Sequence, residues 1–191
     1  MSIATTRLTL QEYLNRNDES EKHYELDAGS LWEMPPESPL NAEIAIKLLL
    51  IFAKFVTTSR CLRCKDTEIV VSGSRTTVRL PDLMVLTEEL ADILYDSGRS
   101  TIMSDMPPPA LVVEVVSPGK VNQDRNYRFK RSEYAARGIQ EYWIVDPLIS
   151  RVTILVLNQG LYDERIFEND SAIASPLFSQ LELTANQVFI S

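Results

Sequence analysis

The chain has 191 residues, enough for one hydrophobic core and too few for two comfortable domains, and its 45% hydrophobic content with only 6 glycines excludes a disordered or fibrous protein. A formal net charge of -8 tells against a protein that grips polyanions by bulk electrostatics, so any contact with nucleic acid must be local. The most apolar window, Ile44 to Val56, contains Lys47 and Lys54 and is too short to span a bilayer, and the first residues lack the order of a signal peptide. The expectation is one cytoplasmic domain over residues 1–191 with no membrane partner.

Thr9 and Glu12 have the spacing of a capping box, which predicts a short helix to about Asn15. Tyr24 to Met34 alternates on both sides of Asp27-Ala28-Gly29 and reads as a β-hairpin. From Pro39 to Thr58 the apolar residues Leu40, Ile44, Leu48, Ile51, Phe52 and Phe55 recur at helical steps and predict one buried face. Cys61 to Val71 and Thr76 to Leu86 read as strands joined through Ser72-Gly73-Ser74, the second running straight through Pro81-Asp82. Cys61 and Cys64 stand alone as a pair; a three-residue step along a strand turns them to opposite faces, so free thiols are expected rather than half a zinc site.

Glu88 to Tyr95 predicts a short helix, Asp96 to Pro109 a loop, and Ala110 to Val116 a strand buried on both faces. A helix from Val121 to Arg137 follows, with Gly138 as its C′ residue, and then strands from Ile139 to Asp146 and from Arg151 to Leu157. Strand, helix and strand in that order predict a βαβ unit with two parallel strands. Leu161 to Ile190 offers one more strand and a short tail.

The chemistry centres on Glu114. Set among Leu111, Val112, Val113, Val115 and Val116, an ionised carboxylate is costly unless a partner or a metal compensates it. Asp82 is a candidate partner: if the two strands are neighbours, both acids can converge on one oxygen-coordinated cation. Taken alone, Asp82 also reads as a turn aspartate beside a proline. Tyr127, Lys130 and Tyr134 share one helix face, which can pack back across the sheet and bring Lys130 to the acids, although a charged helix also reads as a solvated face. Lys120 to Arg137 holds six Lys/Arg against two acids, a local basic patch on an acidic protein.

Several of these motifs, in order, resemble one family. Arg79-Leu-Pro-Asp82, Leu111-Val-Val-Glu114-Val-Val-Ser-Pro118, Arg125-Asn-Tyr-Arg-Phe-Lys130-Arg-Ser-Glu-Tyr134 and Gly138-Ile-Gln-Glu-Tyr-Trp-Ile-Val-Asp-Pro147 are similar to a large bacterial family, expanded in cyanobacteria, of restriction-endonuclease type. That family lies within the PD-(D/E)XK nuclease superfamily. Tyr24 to Gly29 and Met34 to Ser38 resemble it too, so the likeness covers nearly the whole chain.

The resemblance implies a restriction-endonuclease-like α/β (α+β) fold, a mixed β-sheet core flanked by helices with an N-terminal helix and hairpin. It implies a metal-dependent DNA endonuclease in which Asp82 and Glu114 hold Mg²⁺ or Mn²⁺, the Val115 carbonyl is a third ligand, and Lys130 assists the attacking water. Glu25, Asn41, Tyr127 and Tyr134 take supporting roles, and Glu43 reads as surface charge. Two positions depart from the pattern: Val116 stands where the superfamily lysine is expected, which moves that role to Lys130, and Asn126 stands where relatives tend to carry Asp. The rival readings are a nuclease-fold module that binds nucleic acid or protein without cutting, or pairs as a homodimer, and a metal-dependent hydrolase of smaller phosphate esters.

Overall fold

In the computed structural model, residues 7–16, 22–71 and 76–190 are described. Helix α1 (Leu10–Leu14) starts at Thr9, whose hydroxyl accepts the Glu12 N–H while the Glu12 carboxylate accepts the Thr9 N–H, the capping box read from the sequence. Strands β1 (Tyr24–Asp27) and β2 (Ser30–Glu33) pair antiparallel about Ala28-Gly29. Both turn residues are left-handed (φ 49° and 84°), as a two-residue hairpin turn requires. A side chain at Gly29 would also press on the Leu8 carbonyl at 3.1 Å.

Helix α2 (Pro39–Phe52) is capped by the Ser38 hydroxyl and buries Asn41, Ile44, Ala45, Leu48 and Phe52. It stops short of the expected Thr58, which instead caps a 3₁₀ turn at Ser59–Cys61, and Leu40, expected inside, is exposed.

The two long strands expected next are each broken. Strands β3 (Leu62–Arg63) and β6 (Leu83–Val85) pair in one sheet, whereas β4 (Glu68–Val71) and β5 (Thr77–Arg79) pair in another. The strand does not run straight through Pro81-Asp82: Pro81 has no N–H to give to a ladder, and the chain changes sheets there. The other arm changes sheets at 64–67, where Lys65 is left-handed (φ 54°). The Ser72-Gly73-Ser74 link lies outside the described residues. Cys61 and Cys64 are free thiols packed into different core clusters, on opposite faces as expected.

Helix α3 (Glu88–Tyr95) matches its expected bounds, but the expected loop after it contains a short strand, β7 (Thr101–Ile102), parallel to β4. Strand β8 (Leu111–Val115) leads into a helical run over 120–137. That run is α4 (Lys120–Asp124), a π-helical turn at Arg125–Lys130 and α5 (Arg131–Arg137), ended by left-handed Gly138 (φ 83°). Strand β9 (Glu141–Asp146) lies parallel to β8, completing the expected βαβ unit. Strands β10 (Arg151–Asn158) and β11 (Leu161–Glu168) extend the sheet antiparallel. The expected tail ends instead in α6 (Ala185–Phe189), whose capping box, Thr184 with Gln187, stands in the sequence.

Both sheets are mixed, in the orders β2-β1-β5-β4-β7 and β11-β10-β9-β8-β6-β3. One face of the six-stranded sheet packs Leu83, Val113 and Trp143 against Phe52 of α2 and Val188 of α6; the other packs Met84, Val112 and Tyr142 against Leu90 of α3 and Tyr134 of α5. A third cluster, Tyr13, Leu26, Val70 and Val78, lies under the hairpin. Among the described residues no helix is long and apolar enough to cross a membrane.

Candidate active site

Strand register brings the two acids together. In the antiparallel β6–β8 pair Leu83 lies opposite Val113 and Met84 opposite Val112, so one step further along the same register sets Asp82 opposite Glu114. On the other flank of β6, Arg63 lies opposite Met84, and just past the end of β3 the side chain of Lys65 reaches Asp82. Asp82 and Glu114 thus stand side by side, with the Lys65 ammonium against Asp82. Alternation turns Glu114 to the same face as Val112 and Val116, the face that α5 covers.

Each acid carries its own lysine. Glu114 Oε2 lies 2.7 Å from Lys130 Nζ, and Glu114 Oε1 accepts the Tyr134 hydroxyl at 2.6 Å. Asp82 Oδ1 lies 2.9 Å from Lys65 Nζ, which also pairs with Glu37, and Asp82 Oδ2 accepts the Val115 N–H at 2.5 Å. Behind Lys130 stands Glu25, with Oε1 at 3.2 Å from the ammonium. Glu25 is fully buried, pairs with Arg79 and Arg125, and accepts the Leu80 N–H. Arg79 in turn pairs with Asp27 and Glu133, so it ties the hairpin to α5.

The charges are unequally shared. Burial pushes the Glu114 carboxyl up, and the Asp82 and Glu25 charges add to this against the pull of Lys130, leaving it well above the usual carboxylate range. Burial alone would lower the Lys130 ammonium, but Glu114 and Glu25 outweigh it and hold the proton more firmly than usual. Glu25 takes the larger share of the positive field. Tyr134, desolvated beside Glu114, is raised far above an ordinary phenol and stays a hydrogen-bond donor.

The expected residues separate as follows. Asp82, Glu114, Val115 and Lys130 line one cavity of about 500 Å³, walled by Met34, Pro35 and Pro36 beyond the hairpin. The π-helical turn sets Lys130 facing inward while its neighbour Phe129 stays exposed; such turns recur at functional sites. Glu25 and Tyr134 support Lys130 and Glu114 directly. Asn41 reaches the rim, donating to the Ser117 hydroxyl at 3.2 Å. Tyr127 is not brought to the acids: its hydroxyl donates to Asp146 Oδ2 at 3.2 Å. Val116 is core, and buried Asn126 lines the cavity while its carbonyl accepts the Tyr142 hydroxyl. Sequence reasoning missed Lys65, Arg79 and Arg125. Arg79 and Arg125 sit inside motifs that mark the family, whereas Lys65 could be found only from the fold, which brings its side chain to Asp82.

Two carboxylates on one rung, with the Val115 peptide beside them and a cavity in front, fit a hard cation such as Mg²⁺, which binds through one or two carboxylates and keeps several waters. Among the described residues no group of three or more His, Cys, Asp or Glu gathers, so the donors do not suit a site built wholly from side chains.

The sequence profile of the family described as "Uma2: Putative restriction endonuclease" matches residues 10–186. The chain belongs to the Uma2 family. The match spans every site residue named above, as the motif resemblance led one to expect. Among solved structures this Uma2 chain is similar to "a putative nuclease belonging to DUF820" from Anabaena variabilis ATCC 29413, with a TM-score of 0.71 at 18% identity over 95% of this chain and 97% of that one. At that identity the likeness shows the fold, and it bears out the mixed α/β architecture expected for the Uma2 family. No curated protein matches the chain.

Proposed function

We propose that this Uma2 protein is a metal-dependent DNA endonuclease in which Asp82 and Glu114, with the Val115 carbonyl, hold Mg²⁺ or Mn²⁺ and Lys130 assists the attack on phosphorus. The observation that carries the reading is the contact between Lys130 Nζ and Glu114 Oε2, 2.7 Å, on the rung shared with Asp82. A lysine from the following helix thereby stands where Val116 supplies none. Bound Mg²⁺ or Mn²⁺ supplies a polarised phosphoryl group and a water of lowered pKa. Lys130, kept protonated by Glu114 and Glu25, offers its charge to the oxygen where negative charge grows. Glu25, fixed by Arg79 and Arg125, holds that lysine in place, and Tyr134 orients Glu114. Residues 1–191 act as one domain, since the chain crosses between the sheets five times and the site draws on both.

Supercoiled plasmid incubated with Mg²⁺ or Mn²⁺ is expected to be nicked by the wild type and left intact by Asp82→Ala and Glu114→Ala. Lys130→Ala is expected to lose about 100-fold in rate, the scale for removing one charge-stabilising donor. Cutting that survives both acid substitutions would overturn the assignment. One feature favours a second reading, a binding module that does not cut: both acids already carry a protein lysine. Plasmid bound but never nicked, with either metal, would decide for it.

A further inference from the structure

The two lysines that pair with the acids differ in how firmly they are held. Lys130 is locked: its side chain is 4% exposed, and both Glu114 and Glu25 grip its ammonium. Lys65 is not locked. Its side chain is 31% exposed, it sits where the chain leaves β3 in a left-handed conformation, and its second partner, Glu37, belongs to the segment walling the cavity. Asp82 is mostly enclosed, at 12% exposed, and stands opposite a second carboxylate. Two anions on one rung need compensation whenever no divalent cation is bound, and an uncompensated buried carboxylate is costly. With Oδ2 taken by the Val115 N–H, Oδ1 is the atom left for a cation, and the Lys65 ammonium occupies it.

We propose that Lys65 is a built-in counter-ion of Asp82, which neutralises the carboxylate in the metal-free protein, gives it up to a divalent cation and keeps its pairing with Glu37. This role rests on the metal reading above and differs from that of Lys130, which serves the reaction, whereas Lys65 competes for the metal position. The side chain has the means to do so, with a flexible four-carbon stem and a second carboxylate, Glu37, that holds the ammonium once Asp82 is given up. After displacement its charge stays at the cavity wall, where an incoming phosphate passes.

The test is a titration of the purified protein with Mn²⁺ alone, followed by electron paramagnetic resonance of the free ion. Lys65→Met is expected to bind about tenfold tighter than wild type, the scale of losing one charge-assisted competitor. Lys65→Arg, which keeps the competing charge, should stay near wild type, and Asp82→Asn should abolish binding in either background. Lys22→Met removes an equal charge from the same cavity without touching Asp82, and it should leave the affinity within about twofold. Equal tightening by Lys22→Met would make the effect a general field and overturn the proposal. Wild-type affinity in Lys65→Met, with binding still dependent on Asp82 and Glu114, overturns the counter-ion and leaves the metal site standing. No binding by either wild type or Lys65→Met overturns both.

Discussion

Glu25 is the anion to which three cations are tied, Arg79, Arg125 and Lys130. Burial pushes its carboxyl up, yet those three charges outweigh burial and bring it down to about 2, from an ordinary 4.5. A folded-state value below the unfolded one means stabilisation that is complete above about pH 4.5 and lost as the pH falls towards 2. Glu25→Gln should therefore cost about 3–5 kcal/mol at pH 7, because it leaves buried cations without their shared partner. It should also flatten the fall in melting temperature between pH 5 and pH 2, and thermal melts across that range would read both effects. Profiles of equal slope would mean that Glu25 is not the group titrating. A lone carboxylate in an apolar run made Glu114 legible from sequence. Glu25, Arg79 and Lys65 carry no such local mark, since their partners lie far along the chain and meet only through the fold.

At the scale of elements, local signals were the readable ones. The Thr9–Glu12 box, the Ala28-Gly29 turn, the bounds of α3 and the helix stop at Gly138 each depend on a few neighbouring residues. The breaks at 64–67 and 80–82 do not, because both arms keep a strand-like pattern while changing sheets; β7 is too short to leave a pattern, and the box that starts α6 is legible but heads a helix of only five residues. Gly138 permits a clean test. Its φ of 83° suits glycine, and a Cβ there would meet nothing nearer than the Pro108 Cγ at 3.9 Å. Gly138→Ala should thus cost only the left-handed backbone, roughly 1–2 kcal/mol, seen as a lower urea midpoint with an unchanged slope. Because the substitution lies beyond α5, the position of Lys130 should survive it; a loss much above that range would mean that the helix end bears on packing as well.

For the molecule as a whole, the two sheets are stitched by a hairpin whose arms both cross between them, and by Arg79, which joins β1 and α5. Such stitching predicts a single cooperative unit, and the tryptophans can report it. Trp32 stands on β2 of the five-stranded sheet, and Trp143 on β9 is buried in the six-stranded one, edge-on to Phe52 at 5.3 Å. In Trp143→Phe and Trp32→Phe, fluorescence of the remaining tryptophan should unfold at the same denaturant concentration as that variant's own circular dichroism. A fluorescence midpoint that leads or trails would divide the chain into two units.

The double crossing also sets how the cavity answers an occupant. Lys65 and Asp82 lie at the crossing points, Glu114 belongs to the six-stranded sheet, and Glu33, which also lines the cavity, to the five-stranded one. The floor is therefore shared property of two layers, and a ligand that engages it from both sides acts as a rivet between them. Its binding energy then resists any opening that would let the layers slide apart, including openings that begin far from the ligand.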